Sequence, residues 1–178
     1  MKLKFFPIIF SLFIYFFAQQ AIGQDFFVKK KYRDWTVYSS ASNECFLASK
    51  AKRTTSYFNS REILGKNRQN SFIYLSVNKN NSNHSMSYFS DYPLKNNVSG
   101  SMNIDNRKVL ELRGLSSNEN SRNKHAIIND FMKEDINLLL SGNRLTIELQ
   151  GIDGSMLVDQ FSLIGFTKSL NYLLSSCN

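Results

Sequence analysis

The sequence predicts a mostly antiparallel β fold, all-β to α+β, built as a sandwich or partly open barrel of about eight short strands. Three observations carry this. Short runs alternate apolar with polar residues and are rich in β-branched and aromatic side chains. They follow one another closely between Asn, Ser, Gly and Asp clusters, with no helix alternating between them. Only two segments, residues 131–140 and 166–176, carry helical spacing.

The chain has 178 residues, 42% of them hydrophobic and 20% charged. That composition excludes collagenous, disordered and disulfide-dense classes and fits a single globular domain. Residues 1–23 read as a secretory signal peptide: Lys2 and Lys4 precede an uncharged run over residues 5–18, and Ala21-Ile22-Gly23 supplies the small residues of a cleavage site. The apolar run is too short for a membrane-spanning helix, and no later stretch is long enough. Residues 24–33 form a basic segment expected to be flexible, and residues 34–178 the β-rich domain.

The most regular strand is residues 144–150, RLTIELQ, with Leu145, Ile147 and Leu149 on one face and Arg144, Thr146, Glu148 and Gln150 on the other. Residues 35–39, 45–50, 71–77, 86–92, 99–104, 108–113 and 156–163 read as further strands. Asp105-Asn106 and the run Gly151-Ile152-Asp153-Gly154 read as hairpin turns. Trp35 alternates with Val37 and belongs in the core rather than on a ligand-stacking surface. The helix over 131–140 would be capped by Asn129 or Asp130, carry Glu134 and Asp135 in its first turn, and stop at Gly142. The terminal helix places Phe166, Leu170, Leu173 and Leu174 on one face, to dock on the sheet.

The formal net charge is +8, and its distribution is uneven. Residues 24–68 hold ten basic side chains against four acidic ones, whereas residues 69–178 hold ten of each. An exported basic segment meets anionic surfaces or acidic partners rather than nucleic acid, so Lys29, Lys30, Lys31 and Arg33 are the candidate contacts to such a surface. A solvated face that keeps the chain soluble accounts for the same charges. Cys45 and Cys177 are the only cysteines. In an oxidising compartment they are expected to pair, against the alternative of two buried thiols. The bridge would tie the strand over 45–50 to the end of the terminal helix and contribute at most about 5 kcal/mol.

No G-x-S-x-G, P-loop, G-x-G-x-x-G or H-E-x-x-H motif is present. The two histidines, His84 in a polar turn and His125 beside a loop, cannot make a histidine-rich metal site. No catalytic residue, metal or cofactor is therefore assigned. Glu134 and Asp135 read as helix-terminal charges rather than as an acid–base pair.

The two ends of the chain resemble the invasion-associated locus B family. Asp34-Trp35-Thr36-Val37-Tyr38 followed by Cys45-Phe46-Leu47-Ala48-Ser49 is similar to the family's opening, a tryptophan strand before a cysteine strand. The run from Asp159 to Leu170, DQFSLIGFTKSL, is similar to its ending: a serine-leucine strand, glycine-phenylalanine, and a short terminal helix. Residues 134–149 resemble the brief helix, glycine and strand that precede it, while residues 57–124 carry no such likeness. Many members have further cysteines that this chain lacks. The resemblance implies a small exported bacterial β-rich protein, periplasmic or surface-associated, linked by name to host-cell invasion. It marks Asp34, Trp35, Ser162, Leu163, Gly165 and Phe166 as motif residues and supplies no catalytic one. The expected function is a non-enzymatic envelope protein acting as a binding module; the alternative is a periplasmic enzyme using His84 or His125 as its base.

Overall fold

Alternation decides the strands. In the computed structural model, which describes residues 26–41, 44–63, 68–78, 83–115, 123–128 and 131–176, every predicted strand is present. They are β2 (Trp35–Ser39), β3 (Cys45–Lys50), β6 (Phe72–Asn78), β7 (Asn83–Phe89), β8 (Ser99–Ile104), β9 (Lys108–Gly114), β11 (Arg144–Gln150) and β12 (Met156–Ser162). Four more correct the expected count of about eight: β1 (Phe27–Tyr32), β4 (Arg53–Phe58), β5 (Arg61–Glu62) and β10 (His125–Ile128). The basic segment expected to be flexible thus contributes an edge strand, which β2 orders by antiparallel pairing.

The twelve strands among the described residues lie in one antiparallel sheet, in the order β1-β2-β3-β6-β7-β10-β9-β8-β11-β12-β4-β5. It is a single curled half-barrel and not a two-sheet sandwich. The curl follows from one bent stretch of chain. Only Ala51 and Lys52 separate β3 from β4, yet β3 pairs with β6 and β4 pairs with β12, far apart in the strand order. The Ala51 N–H reaches Ser71 O at 2.9 Å and the Lys52 N–H reaches Gln160 O at 2.7 Å, so adjacent peptides bond to opposite sides of the bend.

Inward-facing positions fill the hollow with Trp35, Val37, Leu47, Ile73, Leu75, Met86, Leu112, Ile147, Leu157 and Phe161, among others. The Asp105-Asn106 turn forms as expected, with φ of 48° and 58°, values that these two residue types tolerate.

Among the described residues there are two helices. The first, α1 (Lys133–Ser141), starts two residues later than the sequence suggests, and the proposed caps Asn129 and Asp130 lie outside the described residues. Its first turn is closed instead by Asp135, whose carboxylate accepts the Met132 N–H at 2.8 Å and pairs with Lys108. The second, α2 (Phe166–Ser176), packs on β1, β2 and β3 and buries Phe166, Ser169, Leu170 and Leu173. Leu174, expected on that face, is instead exposed, and Ser169 is buried with Phe166, Leu170 and Leu173. No described helix is long and apolar enough to cross a membrane.

Candidate functional site: an aromatic groove with a cationic end

The motif residues from the two ends of the chain meet in space. The Trp35 Nε1–H donates to Ser162 O at 2.9 Å, and its ring stands edge-on to Phe166 at 4.9 Å. The Asp34 N–H reaches Ile164 O at 3.3 Å, and the Ser162 hydroxyl accepts the Ile164 N–H at 3.1 Å. Leu163 is buried beside them. Gly165 turns the chain into α2 at φ +94°, where an added Cβ would stand 2.0 Å from Tyr32 O. These residues build a clamp between the β1–β2 hairpin and the segment joining β12 to α2, leaving their outward neighbours to form a surface.

That surface is the outer face of β2, β3, β6 and β7. While Trp35, Val37, Leu47, Ile73 and Leu75 point inward, pleating sends Tyr38, Phe46, Phe72 and Tyr74 outward. Register sets them side by side. Tyr38 lies opposite Phe46, and the two rings stack at 5.3 Å with planes 12° apart. Phe46 also meets Phe26 edge-on at 5.1 Å, and Phe72 stacks on Tyr74 at 6.2 Å. The residues between them are small: Ala48 lies opposite Thr36 on one side and Tyr74 on the other, and Ser87 lies opposite Tyr74. Large side chains around small ones leave a groove of about 580 Å³, lined also by Phe26, Ser76 and His125. Burial pushes the Tyr74 hydroxyl up from its ordinary range, so this wall stays uncharged.

A second cavity, of about 310 Å³, shares Tyr38, Ala48 and Phe72 with the groove and opens among Lys31, Arg33, Lys50 and Lys52. Asp34 is the carboxylate in its lining and pairs with Lys52. Burial raises the Asp34 pKa, but hydrogen bonds from Lys52 and Ser162 and the charges of Lys52 and Lys31 outweigh it and hold the group ionised below its usual range. Lys31, Arg33 and Lys50 make no ion pair among the described residues. Of the four cations proposed from sequence, Lys31 and Arg33 line this cavity, whereas Lys29 and Lys30 lie along β1 outside it. The aromatic groove itself was missed. Its signal is legible all the same, since Tyr38, Phe46 and Tyr74 occupy the alternate positions that a strand with one wet face fills with polar residues.

His84 stands in β7 rather than in a turn, and His125, beside a loop as expected, opens β10 and lies edge-on to Phe89 at 5.0 Å. Among the described residues, neither imidazole hydrogen-bonds to a carboxylate or a hydroxyl. The groups nearest in sequence to His84 are engaged elsewhere. The Ser85 hydroxyl meets that of Ser76 at 2.6 Å, and Asp91 binds Arg68. No cluster of three or more His, Cys, Asp or Glu able to hold a metal occurs among the described residues.

Inside the half-barrel lies a polar cluster that the sequence did not reveal. Arg68 is buried and donates to Asp159 Oδ2 at 2.8 Å, Asp91 Oδ1 at 3.1 Å and Thr55 O at 2.9 Å. The Tyr88 hydroxyl donates to the same Asp159 oxygen at 2.5 Å, while Asp159 Oδ1 has no hydrogen-bond partner among the described residues. Burial pushes the Asp159 carboxyl up despite Arg68. Burial pushes Asp91 the same way, but the Asn70 N–H, Arg68, Ser71 and the Gln69 N–H hold it below the usual carboxylate range. The cluster joins β4, β7 and β12 across the bend and opens onto neither cavity. Cys45, at the start of β3, is half-buried against the core; Cys177 lies outside the described residues, as does the signal segment 1–23.

No family profile matches the chain, and no curated protein matches it in sequence. A solved structure does resemble it in fold: invasion associated protein B from Bartonella henselae, at a TM-score of 0.60 over 82% of this chain and 95% of that one. The two are 16% identical, so what this chain shares with that protein is the fold.

Proposed function

We propose that the chain is an exported bacterial envelope protein, of the type the invasion-associated locus B resemblance implies, acting as a non-enzymatic binding module. The outer face of β2, β3, β6 and β7 is its binding face. The observation that carries this reading is the continuity of an apolar aromatic groove with a cavity of four cations and one carboxylate. Both features lie on the face opposite the buried core of the sheet. Support for export comes from the signal-like segment 1–23, and support for the envelope setting from the shared fold with a Bartonella protein named for invasion. Contact with a host cell is the finer form of the same reading.

The test has two steps. Expressed with its leader in a Gram-negative host, the protein should appear in the osmotic-shock or surface fraction beginning at Gln24. A cytoplasmic protein beginning at Met1 would refute export. The purified exported chain should then retain envelope material that Ala48→Leu, which fills the groove floor, does not. Equal retention by both would refute the binding face.

A further inference from the structure

We propose that the groove takes the acyl chain of an anionic lipid, whose acidic head is held at Lys31, Arg33, Lys50 and Lys52. This rests on the outer face being the binding face and names what occupies it. Three observations select the ligand. The groove walls are Phe26, Tyr38, Phe46, Phe72 and Tyr74, and its polar contributions are two serines, a histidine and the tyrosine hydroxyls. The groove lining has no amide or carboxylate side chain, the groups that hold neighbouring ring hydroxyls of a glycan in pairs. An extended peptide needs free backbone N–H and C=O groups. Here β2, β3, β6 and β7 are paired on both sides, so their backbone groups are already spent in the ladder.

A hydrocarbon chain asks for neither. The volume, about 580 Å³, lies within the ordinary range for small-molecule sites, about 300–1,000 Å³. Charge sits at one end only, where three cations without ion pairs among the described residues complement a single acidic head. At the rim, Phe26 and Val28 are more than half exposed, which suits a site loaded from a lipid surface.

The experiment is calorimetric titration of the exported chain with dodecyl phosphate below its micelle concentration. Decyl phosphate should bind about tenfold more weakly, because each buried methylene contributes a near-constant increment. Inorganic phosphate alone should show no binding. Ala48→Leu should weaken dodecyl phosphate at least about tenfold with an unchanged melting temperature. Lys31→Glu with Lys50→Glu should weaken dodecyl phosphate but leave dodecylphosphocholine unaffected. Phosphatidylglycerol vesicles should compete, and phosphatidylcholine vesicles should not.

Absence of binding, an affinity independent of chain length, or wild-type affinity in both variants overturns the proposal. If dodecyl phosphate fails while Ala48→Leu still abolishes envelope retention, the lipid assignment falls and the binding face stands. If neither holds, both fall.

Discussion

Replacing Arg68 with methionine is expected to cost about 3–5 kcal/mol of stability near neutral pH, the usual penalty for removing one partner of a buried ion pair. The arginine side chain is 3% exposed and Asp159 is fully buried. Methionine keeps much of the volume but donates nothing. The deletion removes the donors to Asp159, Asp91 and the Thr55 carbonyl, leaving Asp159 with the Tyr88 hydroxyl. Asp159 then escapes by taking a proton, and the sign of the pH dependence follows. Its folded-state pKa is raised already and rises further without the guanidinium. The folded state therefore binds the proton more tightly than the unfolded one. Stability of the variant falls as pH rises from about 4, the unfolded value, through the folded pKa. The variant should lose more at pH about 8 than at pH about 5. Adding Asp159→Asn removes the stranded charge, so the double variant should be more stable than Arg68→Met alone at neutral pH. Urea unfolding followed by fluorescence of Trp35, the one tryptophan, reads all of this. A cost under about 1 kcal/mol, or strictly additive effects, would refute the burial argument.

Gly165→Ala should destabilise by about 2–4 kcal/mol, combining a left-handed backbone with a clash against Tyr32 O; an unchanged melting temperature would contradict that contact. Asp105→Asn should cost about 1–2 kcal/mol at neutral pH, because the carboxylate accepts the Asn143 and Arg144 N–H groups at 2.8 and 2.9 Å. The Asn143 hydrogen bond foremost holds the Asp105 pKa down, so its contribution is present above about pH 4 and lost as pH falls through the folded value. The gap between wild type and variant should close in acid, and a gap constant with pH would contradict the assignment. Cys45→Ser, Cys177→Ser and the double variant should each lower stability by the same amount, at most about 5 kcal/mol, because all three remove one proposed bridge. Two free thiols by titration of the unreduced chain would end that proposal.

Strands with clean alternation were legible because one face is wet and the other buried, as in RLTIELQ of β11. The missed strands lack that contrast. In β4, RTTSYF, the inward position is Ser56, so no apolar stripe marks it. In β1, FVKKKY, the edge position leaves nearly every side chain exposed, and the lysines read as a tail. Topology hid for a related reason: the bend at Ala51-Lys52 carries no glycine or proline to announce it. Arg68 looked like one more basic residue, since its burial depends on Asp91 and Asp159, distant in sequence. The ends were the reverse case. Trp35 and Phe166 stood in short local patterns that already named their strand and helix, and the fold only had to bring them together.

The central claim, that the outer face of β2, β3, β6 and β7 is where this protein binds, is tested most directly by amide chemical-shift mapping of the isotopically labelled exported chain. The titrant is a lipid extract of the bacterial envelope, presented in nanodiscs. The account predicts that shifts concentrate at Lys31, Tyr38, Ala48, Lys50, Tyr74 and Ser87, the groove and its cationic end. Shifts confined to β8, β9 and β11 on the far side of the sheet, or none at all, would contradict it.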